Sequence, residues 1–245
     1  MQWYEYILNM FYKELMSKLD CVHVAPGPFS VYRTQVLQKV GGFDEHNITE
    51  DLEMAIRLQK NNYQLKQILD TEVRTIAPST LKALYRQRKR WYKGSIITSM
   101  KYKNLMFNKA YGDFGLIQMP TIVISGMMAI ISFLILGYYS LKSNAVIAYH
   151  LYLIDFDIMT LIRNFQFHFD PLAIDYMVVV LGLIMFTISI LVFKLAHSTT
   201  KERLFRFAGV PLVTYLFGYF FVLCVVWIGV TYDILFNFSD TTWTR

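Results

Sequence analysis

The sequence predicts an α/β layer over residues 1–115, followed by an α-helical transmembrane region of about three spans over residues 116–245. Two observations carry this prediction. Short segments with strand and helix periodicity alternate in the first part, and three uncharged runs occupy the second, at residues 116–139, 176–193 and 207–232. Because about 20 apolar helical residues cross a bilayer core, each run is long enough to span.

Composition and charge support a membrane protein. Hydrophobic residues make up 55% of the chain, and a core of three buried helices would need more than 245 residues to surround it. The whole net charge of +6 lies in residues 1–115, which the positive-inside rule places in the cytoplasm. Such a basic segment attracts lipid headgroups or a nucleotide-sugar diphosphate. Nucleic acid is disfavoured, because stacking aromatics do not alternate with the basic residues.

Topology follows from the number of spans. With three, the multi-pass chain returns residues 197–206 to the cytoplasm, carrying Lys201, Arg203 and Arg206. Residues 143–154 are apolar but short, which favours an interfacial or re-entrant segment over a fourth crossing. A fourth crossing would invert the side of every later loop, and this alternative stays open.

Individual elements follow from periodicity and end signals. Residues 2–19 form a predicted amphipathic helix, which either lies at the membrane interface or packs on a core. Thr49 is the predicted N-cap of a helix with acids in its first turn, and Gly41-Gly42 ends an earlier helix. The further predicted helices are residues 34–40, 50–60 and one opening at 78–80, and the predicted strands are 22–24, 63–69 and 72–76.

Asp51 is the candidate general base. It follows Glu50 in the first turn of a predicted helix, where the helix dipole stabilises an ionised carboxylate. Such a carboxylate can accept the proton of a sugar hydroxyl as that hydroxyl attacks an anomeric carbon. Ordinary capping by acids explains the pair equally well when it is taken alone.

Gln87, Arg90 and Trp91 occupy positions i, i+3 and i+4 and so share one helical face. Arg90 offers bidentate hydrogen bonds to phosphate, Trp91 a flat ring for stacking on a sugar, and Gln87 an amide to orient a phosphate or hydroxyl. The competing interpretation is an amphipathic helix with interfacial Trp and Arg anchors. The two interpretations are compatible.

These motifs together resemble a known family. The elements are Gly27-Pro28-Phe29-Ser30, Gly41-Gly42-Phe43, Thr49-Glu50-Asp51 and Gln87-x-x-Arg90-Trp91-Tyr92-x-Gly94. In this order, next to a membrane entry, they resemble the C-terminal half of a membrane-bound family 2 glycosyltransferase, a group that includes cellulose, chitin, hyaluronan and poly-N-acetylglucosamine synthases. The resemblance implies that residues 1–115 form part of a GT-A-type glycosyltransferase domain.

The resemblance also implies roles. Asp51 would be the catalytic base, with Glu50 beside it, while Gln87, Arg90 and Trp91 would hold the donor diphosphate and the acceptor. The loop containing Gly27 and Ser30 would lie near the acceptor sugar. The implied reaction is an inverting transfer from a nucleotide sugar to a glycan or lipid, with Mg²⁺ or Mn²⁺ on the diphosphate.

The sequence departs from the family pattern in one respect. Residues 1–48 contain no Asp-x-Asp metal motif, and Asp155-Phe156-Asp157 falls after the first uncharged run, so no residue is assigned as a metal ligand. We therefore expect a fragment or one part of a split enzyme, with a separate chain carrying the N-terminal half. The alternative is a non-catalytic membrane subunit or inactive remnant. A transporter is disfavoured because the uncharged runs lack ionisable residues.

Overall fold

A computed structural model describes residues 2–71, 73–157, 159, 163, 175–201 and 209–236. Throughout these ranges the regular structure is helical. The helices are α1 Gln2–Lys18, α2 Thr34–Lys39, α3 Glu50–Lys60, α4 Leu81–Lys101, α5 Met119–Leu153, α6 Tyr176–Thr200, α7 Gly209–Val213 and α8 Tyr219–Phe236. A π-helical turn, Phe114–Gln118, leads into α5, and another, Thr214–Gly218, joins α7 to α8.

The chain divides into two compact units, residues 1–130 with 195–245, and residues 131–194. The first unit holds the packed cores. One core joins the end of α1 to α3 and the start of α5 through residues such as Met16, Ile56 and Phe114, all buried. Another is centred on Val226, Trp227 and Val230 of α8, with the aromatic rings of α4 against it.

The predicted helices of the first 115 residues are confirmed within a residue or two at each end. Thr80 caps α4, since its hydroxyl oxygen accepts a hydrogen bond from the Ala83 N–H at 3.2 Å. Thr49 does stand immediately before α3, but its side chain makes no capping bond. Its hydroxyl donates instead to Asn47 Oδ1 at 3.3 Å. Gly41 and Gly42 follow α2 with φ of 91° and 73°, which only glycine adopts without strain.

The predicted α/β layer, and with it the partial GT-A-type domain, is wrong for this structure. Segments 22–24, 63–69 and the described part of 72–76 are irregular, and no strand occurs among the described residues. A strand needs a neighbouring backbone for its N–H and C=O groups, and here side chains take that place. Gln59 Nε2 donates to the Val22 carbonyl at 3.2 Å, and Ser17 Oγ accepts from the Gln67 N–H at 2.8 Å.

Three helical stretches are long and apolar enough to cross a membrane: Phe114–Leu153, Tyr176–Thr200 and Pro211–Phe236. They contain the three uncharged runs, apart from residues 207–208, which lie outside the described part. The prediction for residues 143–154 is wrong, because α5 continues to Leu153 without a break. Neither Lys142 nor Asn144 interrupts a helix, so this segment lengthens the first stretch instead of forming a separate re-entrant one.

The second unit, residues 131–194, is built from the later part of α5 and most of α6. Its large apolar side chains are exposed, including Leu134, Leu183 and Phe186. Apolar surface of this extent is unfavourable in water and favourable in hydrocarbon. The unit therefore has the side-chain distribution of lipid-facing helices.

Helices α4 and α8 pack closely within the first unit. The rings of Tyr92 and Trp227 stack with centroids 4.8 Å apart and planes 20° apart. Gly126 of α5 lies directly under the Trp227 indole, where a methyl group would overlap the ring. Lys89 Nζ reaches Asp233 Oδ1 at 2.9 Å. A helix carrying a candidate functional motif is thus fixed against the last apolar helix.

Candidate active site

The first turn of α3 presents Asp51. Its Oδ1 accepts a hydrogen bond from the Leu52 N–H at 2.8 Å, and the side chain is half-buried. Burial raises the pKa of Asp51 above its usual value, the Leu52 N–H opposes that rise, Glu50 adds to it and the Arg90 guanidinium lowers it. Glu50 itself is exposed. The carboxylate thus lies between water and protein, within electrostatic reach of a cation on α4.

A polar network fixes the position of α3. Its centre is the buried Glu53, which pairs with Arg57 at 2.9 Å and accepts the Tyr102 hydroxyl proton at 2.5 Å. The Arg57 guanidinium donates onward to the carbonyls of Val40 and Gly42 at 2.8 and 2.6 Å. These bonds tie α3 to the turn after α2 and to the end of α4, so the Asp51 end of the helix has a defined position.

Gly94 brings the two motifs together. A Cβ at residue 94 would overlap Cγ2 and Oγ1 of Thr49, so only glycine lets α4 approach the start of α3 this closely. Arg90 lies one turn before Gly94 on α4, and Asp51 lies two residues after Thr49 on α3. The close approach explains why the Arg90 charge acts on the Asp51 carboxyl group.

Two more side chains lie near Asp51, and the sequence interpretation did not include them. Burial lowers the pKa of Lys13, and the Asp51 carboxylate partly restores it. Burial likewise raises the pKa of Tyr32, with Ser30 lowering it and Asp51 raising it. Lys13 belongs to α1 and Tyr32 follows the Pro26–Ser30 loop, so groups far apart in sequence surround one carboxylate. Neither residue stands out in the sequence, because ordinary polar positions look the same.

The loop that was predicted to approach the acceptor has an open end. Gly27 is exposed and has no atom near the position of a Cβ, whereas the Ser30 hydroxyl donates to the Pro26 carbonyl. Phe29, between them, adopts φ of 65° and exposes 75% of its surface. Ser30 is therefore linked to the surroundings of Asp51 through Tyr32, whereas Gly27 is not in contact with that group.

Gln87 and Trp91 are placed by a different residue, Arg88. Arg88 Nη1 donates to Gln87 Oε1 at 2.7 Å, and the guanidinium carbon lies 4.1 Å from the centroid of the Trp91 ring. Both Gln87 and Trp91 are half-buried. The structure thus brings Asp51, Glu50 and Arg90 together, and holds the other two motif side chains through a neighbour that the motif leaves unspecified.

Metal binding has no visible centre here. Within the described ranges, no three His, Cys, Asp or Glu side chains lie close enough to hold an ion. Asp155 and Asp157 fall at the turn that ends α5. Residues 170 and 240, which are also acidic, lie outside the described residues.

Comparison with known proteins gives a consistent result. The profile of the family described as "Glycosyl transferase family group 2" matches residues 5–238. The chain is 26% identical over 108 residues, 44% of its length, to a beta-monoglucosyldiacylglycerol synthase of Trichormus variabilis, covering 23% of that protein. It is 30% identical over 69 residues to a probable glucomannan 4-beta-mannosyltransferase of Oryza sativa, 28% of this chain and 13% of the relative.

A third relative is a UDP-forming cellulose synthase of Dictyostelium discoideum, in its catalytic polypeptide. The two sequences are 31% identical over 88 residues, which is 35% of this chain and 8% of the relative. The chain therefore matches less than a quarter of the length of each of these relatives. No solved structure matches it significantly.

Proposed function

The chain belongs to glycosyl transferase family group 2, and we propose that it takes part in the inverting transfer of a sugar from a nucleotide-sugar donor to a glycan or lipid acceptor at a membrane. The observation that carries this proposal is the close approach of α3 and α4 at Gly94, which sets Arg90 to act on the Asp51 carboxyl group. A base for the acceptor and a cation for the donor diphosphate then belong to one site.

Each motif side chain has a role in this proposal. Asp51 accepts the proton of the acceptor hydroxyl as its oxygen attacks the anomeric carbon from the face opposite the diphosphate. Arg90 binds the departing diphosphate through its fork of N–H groups and offsets its developing charge. Trp91 stacks on the acceptor sugar, and Gln87 orients a phosphate or hydroxyl.

The diphosphate in this reaction carries Mg²⁺ or Mn²⁺, a cation that prefers oxygen ligands and stabilises a leaving phosphate. The cation would be held by residues other than Asp51 and Arg90, from the donor-binding part of the complete enzyme. A separate chain or segment supplying that part agrees with the short matched share of each relative.

Location follows from charge and apolarity. We place residues 1–115 at the cytoplasmic membrane surface, where the net charge of +6 attracts the nucleotide-sugar diphosphate. The three apolar helical stretches make the protein integral and multi-pass. The acceptor would then be glycosylated next to the headgroups, within reach of a lipid or a growing glycan.

The decisive experiment replaces Asp51 by Asn at the gene's own locus, so that any other chain the reaction needs is present. Membranes are then incubated with radiolabelled UDP-glucose, UDP-N-acetylglucosamine or GDP-mannose, and lipid-bound and polymer-bound label are counted separately. We expect Asp51→Asn to lower transfer by about 10²-fold or more, the usual contribution of a general base.

Asp70→Asn is the matched control, because Asp70 is an exposed carboxylate outside the helices. It should transfer sugar at the wild-type rate. Equal transfer by wild type and Asp51→Asn, at equal protein abundance, would remove Asp51 from the role of base.

A further inference from the structure

A buried cation on α4 lies outside the proposed binding groups. Arg88 exposes 0% of its surface and is the largest fully buried side chain in the described part of the chain. Removing a guanidinium from water is costly unless its donors are satisfied in a fixed geometry. The position therefore calls for partners, and the structure supplies them from three helices.

The partners of Arg88 come from both ends of the chain. Arg88 Nη2 pairs with the Glu5 carboxylate of α1, and Arg88 Nε donates to the Tyr219 hydroxyl of α8 at 3.0 Å. Arg88 Nη1 donates to Gln87 Oε1 at 2.7 Å. The three nitrogens of one planar group thus face a carboxylate, a phenol and an amide.

This geometry determines what Gln87 can offer a ligand. A guanidinium has donors only, so the amide group of Gln87 must turn its oxygen toward Arg88. Its NH₂ group then points elsewhere, and only a hydrogen-bond acceptor can use it. Gln87 is thereby set to bind a phosphate or hydroxyl oxygen.

The same group also fixes the Trp91 indole. The guanidinium carbon lies 4.1 Å from the ring centroid, which is cation–π contact. One face of the indole is covered by Arg88, which leaves the opposite face for a flat sugar surface. A lysine could keep the charge but not the simultaneous fork and stacking contacts.

We propose that Arg88 is a positioning residue for sugar transfer, holding Gln87 with its NH₂ group outward and Trp91 with one face open, and anchored by Glu5 and Tyr219. This inference rests on the proposed function of Gln87 and Trp91. It assigns Glu5 and Tyr219 an indirect role, since they hold the residue that holds the motif.

The first test compares Arg88→Lys with Arg86→Lys, whose wild-type arginine is exposed on the same helix. Both variants are made at the gene's own locus and assayed in membranes with the donor that the wild type uses, at equal abundance and after measurement of the unfolding temperature. We expect Arg88→Lys to lose about 10²-fold in rate per folded chain, the scale of a misplacement of about 1 Å. Arg86→Lys should equal wild type. An unchanged rate per folded Arg88→Lys chain would overturn the proposal.

Gln87→Glu tests the orientation of the amide. Glutamate keeps an oxygen toward Arg88 but has no N–H to donate, so it should retain the fold while raising the KM for donor or acceptor. Tyr219→Phe is the milder variant if Arg88→Lys folds poorly, because it removes only the oxygen that Arg88 Nε reaches. Its rate per folded chain should fall between those of wild type and Arg88→Lys. Wild-type KM values in Gln87→Glu would contradict the assigned amide orientation.

A second measurement does not depend on transfer. Subtracting the fluorescence of Trp91→Phe from that of the parent isolates the Trp91 emission, and this difference spectrum is recorded with Arg88 and with Lys at residue 88. We expect its intensity or wavelength to change on Arg88→Lys and to stay constant on Arg86→Lys. An unchanged spectrum overturns the positioning of Trp91. A wild type without transfer overturns the proposed function instead, while the spectrum still decides whether Arg88 holds the indole.

Discussion

The Asp51 carboxyl group is subject to opposing influences, and their balance sets its chemistry. Burial and Glu50 raise its pKa, whereas the Leu52 N–H and Arg90 lower it, and the net shift is upward. A raised pKa makes the carboxylate a stronger base toward a sugar hydroxyl at neutral pH, since its affinity for the proton is higher. It also places the loss of activity in acid above the range of an ordinary aspartate.

The pH dependence of transfer should therefore respond to the two charged neighbours in opposite directions. Removing the negative charge with Glu50→Gln should move the acid limb of the rate profile to lower pH. Removing the positive charge with Arg90→Gln should move the limb of the remaining activity to higher pH. Rate profiles measured between about pH 4 and 8 check both shifts, and limbs that coincide in wild type and both variants would contradict the assignment of the limb to Asp51.

Stability should change in the opposite sense to activity at this residue. A folded-state pKa above the unfolded value means that the contribution of Asp51 to stability is fully present below the unfolded pKa and is lost as pH rises through the folded pKa. At neutral pH the ionised group thus opposes folding. Asp51→Asn should unfold at the wild-type temperature or above, measured by thermal melting of membranes or purified chain, even though its transfer is lost.

Single residues were predictable from the sequence to the extent that spacing marked them. Asp51, Gln87, Arg90 and Trp91 follow from motif positions, and the structure gives each a defined place, although their roles stay proposals. Arg88 was not predictable, because its burial depends on Glu5 and Tyr219, which are 83 and 131 residues away. Nothing local distinguishes a buried arginine from Arg86, its exposed neighbour two residues earlier.

At the scale of elements, the contact of α3 with α4 depends on Gly94. Gly94→Ala should lower transfer because the added methyl group pushes the Thr49 side chain, and with it the first turn of α3, away from α4. Overpacking of this kind costs about 1–3 kcal/mol, and the better helix propensity of alanine returns up to about 1 kcal/mol. Transfer rates and thermal melting of the variant check both effects.

Two companions make the Gly94 prediction specific. Gly137→Ala also lies within a helix but meets no atom within 4 Å, so it should leave transfer unchanged. Thr49→Ala removes the two atoms that the new methyl group would strike, so the double variant Gly94→Ala with Thr49→Ala should recover part of the lost rate. No recovery, or an equal effect of Gly137→Ala, would show that the close approach does not govern the site.

Helices were predictable and strands were not, for a physical reason. The bonds of α3 close within the helix, so Asp and Glu at its start and Arg57 and Lys60 at its end were enough to locate it. A strand gains its bonds only from a neighbour, and residues 63–69 have side chains of α1 and α3 nearby instead. The pattern of those residues gave no information about the absent pairing.

At the scale of the whole molecule, membrane topology is the prediction that remains to be tested. Three spans place residues 2–113 and the end of α6 on the cytoplasmic side, and the end of α5 on the other side. Cys21 and Cys224 are buried, so an introduced thiol reports with little background. In intact cells, an impermeant maleimide should label Ser143→Cys and should not label Lys103→Cys or Ser198→Cys, all three sites being exposed.

Permeabilised cells provide the control for this experiment, because all three thiols should then react. Labelling of Ser143→Cys and Ser198→Cys from the same side would mean that α6 does not cross. The length of α5 bears on the choice of site: 35 residues extend about 52 Å, well beyond a hydrocarbon core of about 30 Å. Ser143 therefore lies on the part of α5 that extends past the uncharged run.

The Arg88 network also imposes an order on the birth of the protein. Glu5 and Arg88 are made early, but Tyr219 leaves the ribosome 131 residues after Arg88, a delay of roughly 7–26 s at about 5–20 residues per second. During that interval the guanidinium lacks one of its partners, and the nascent chain keeps the groove around α4 unfinished. A message cut short before α8 would thus yield a protein with a sequestered charge only partly matched, a defect that cellular quality control can recognise.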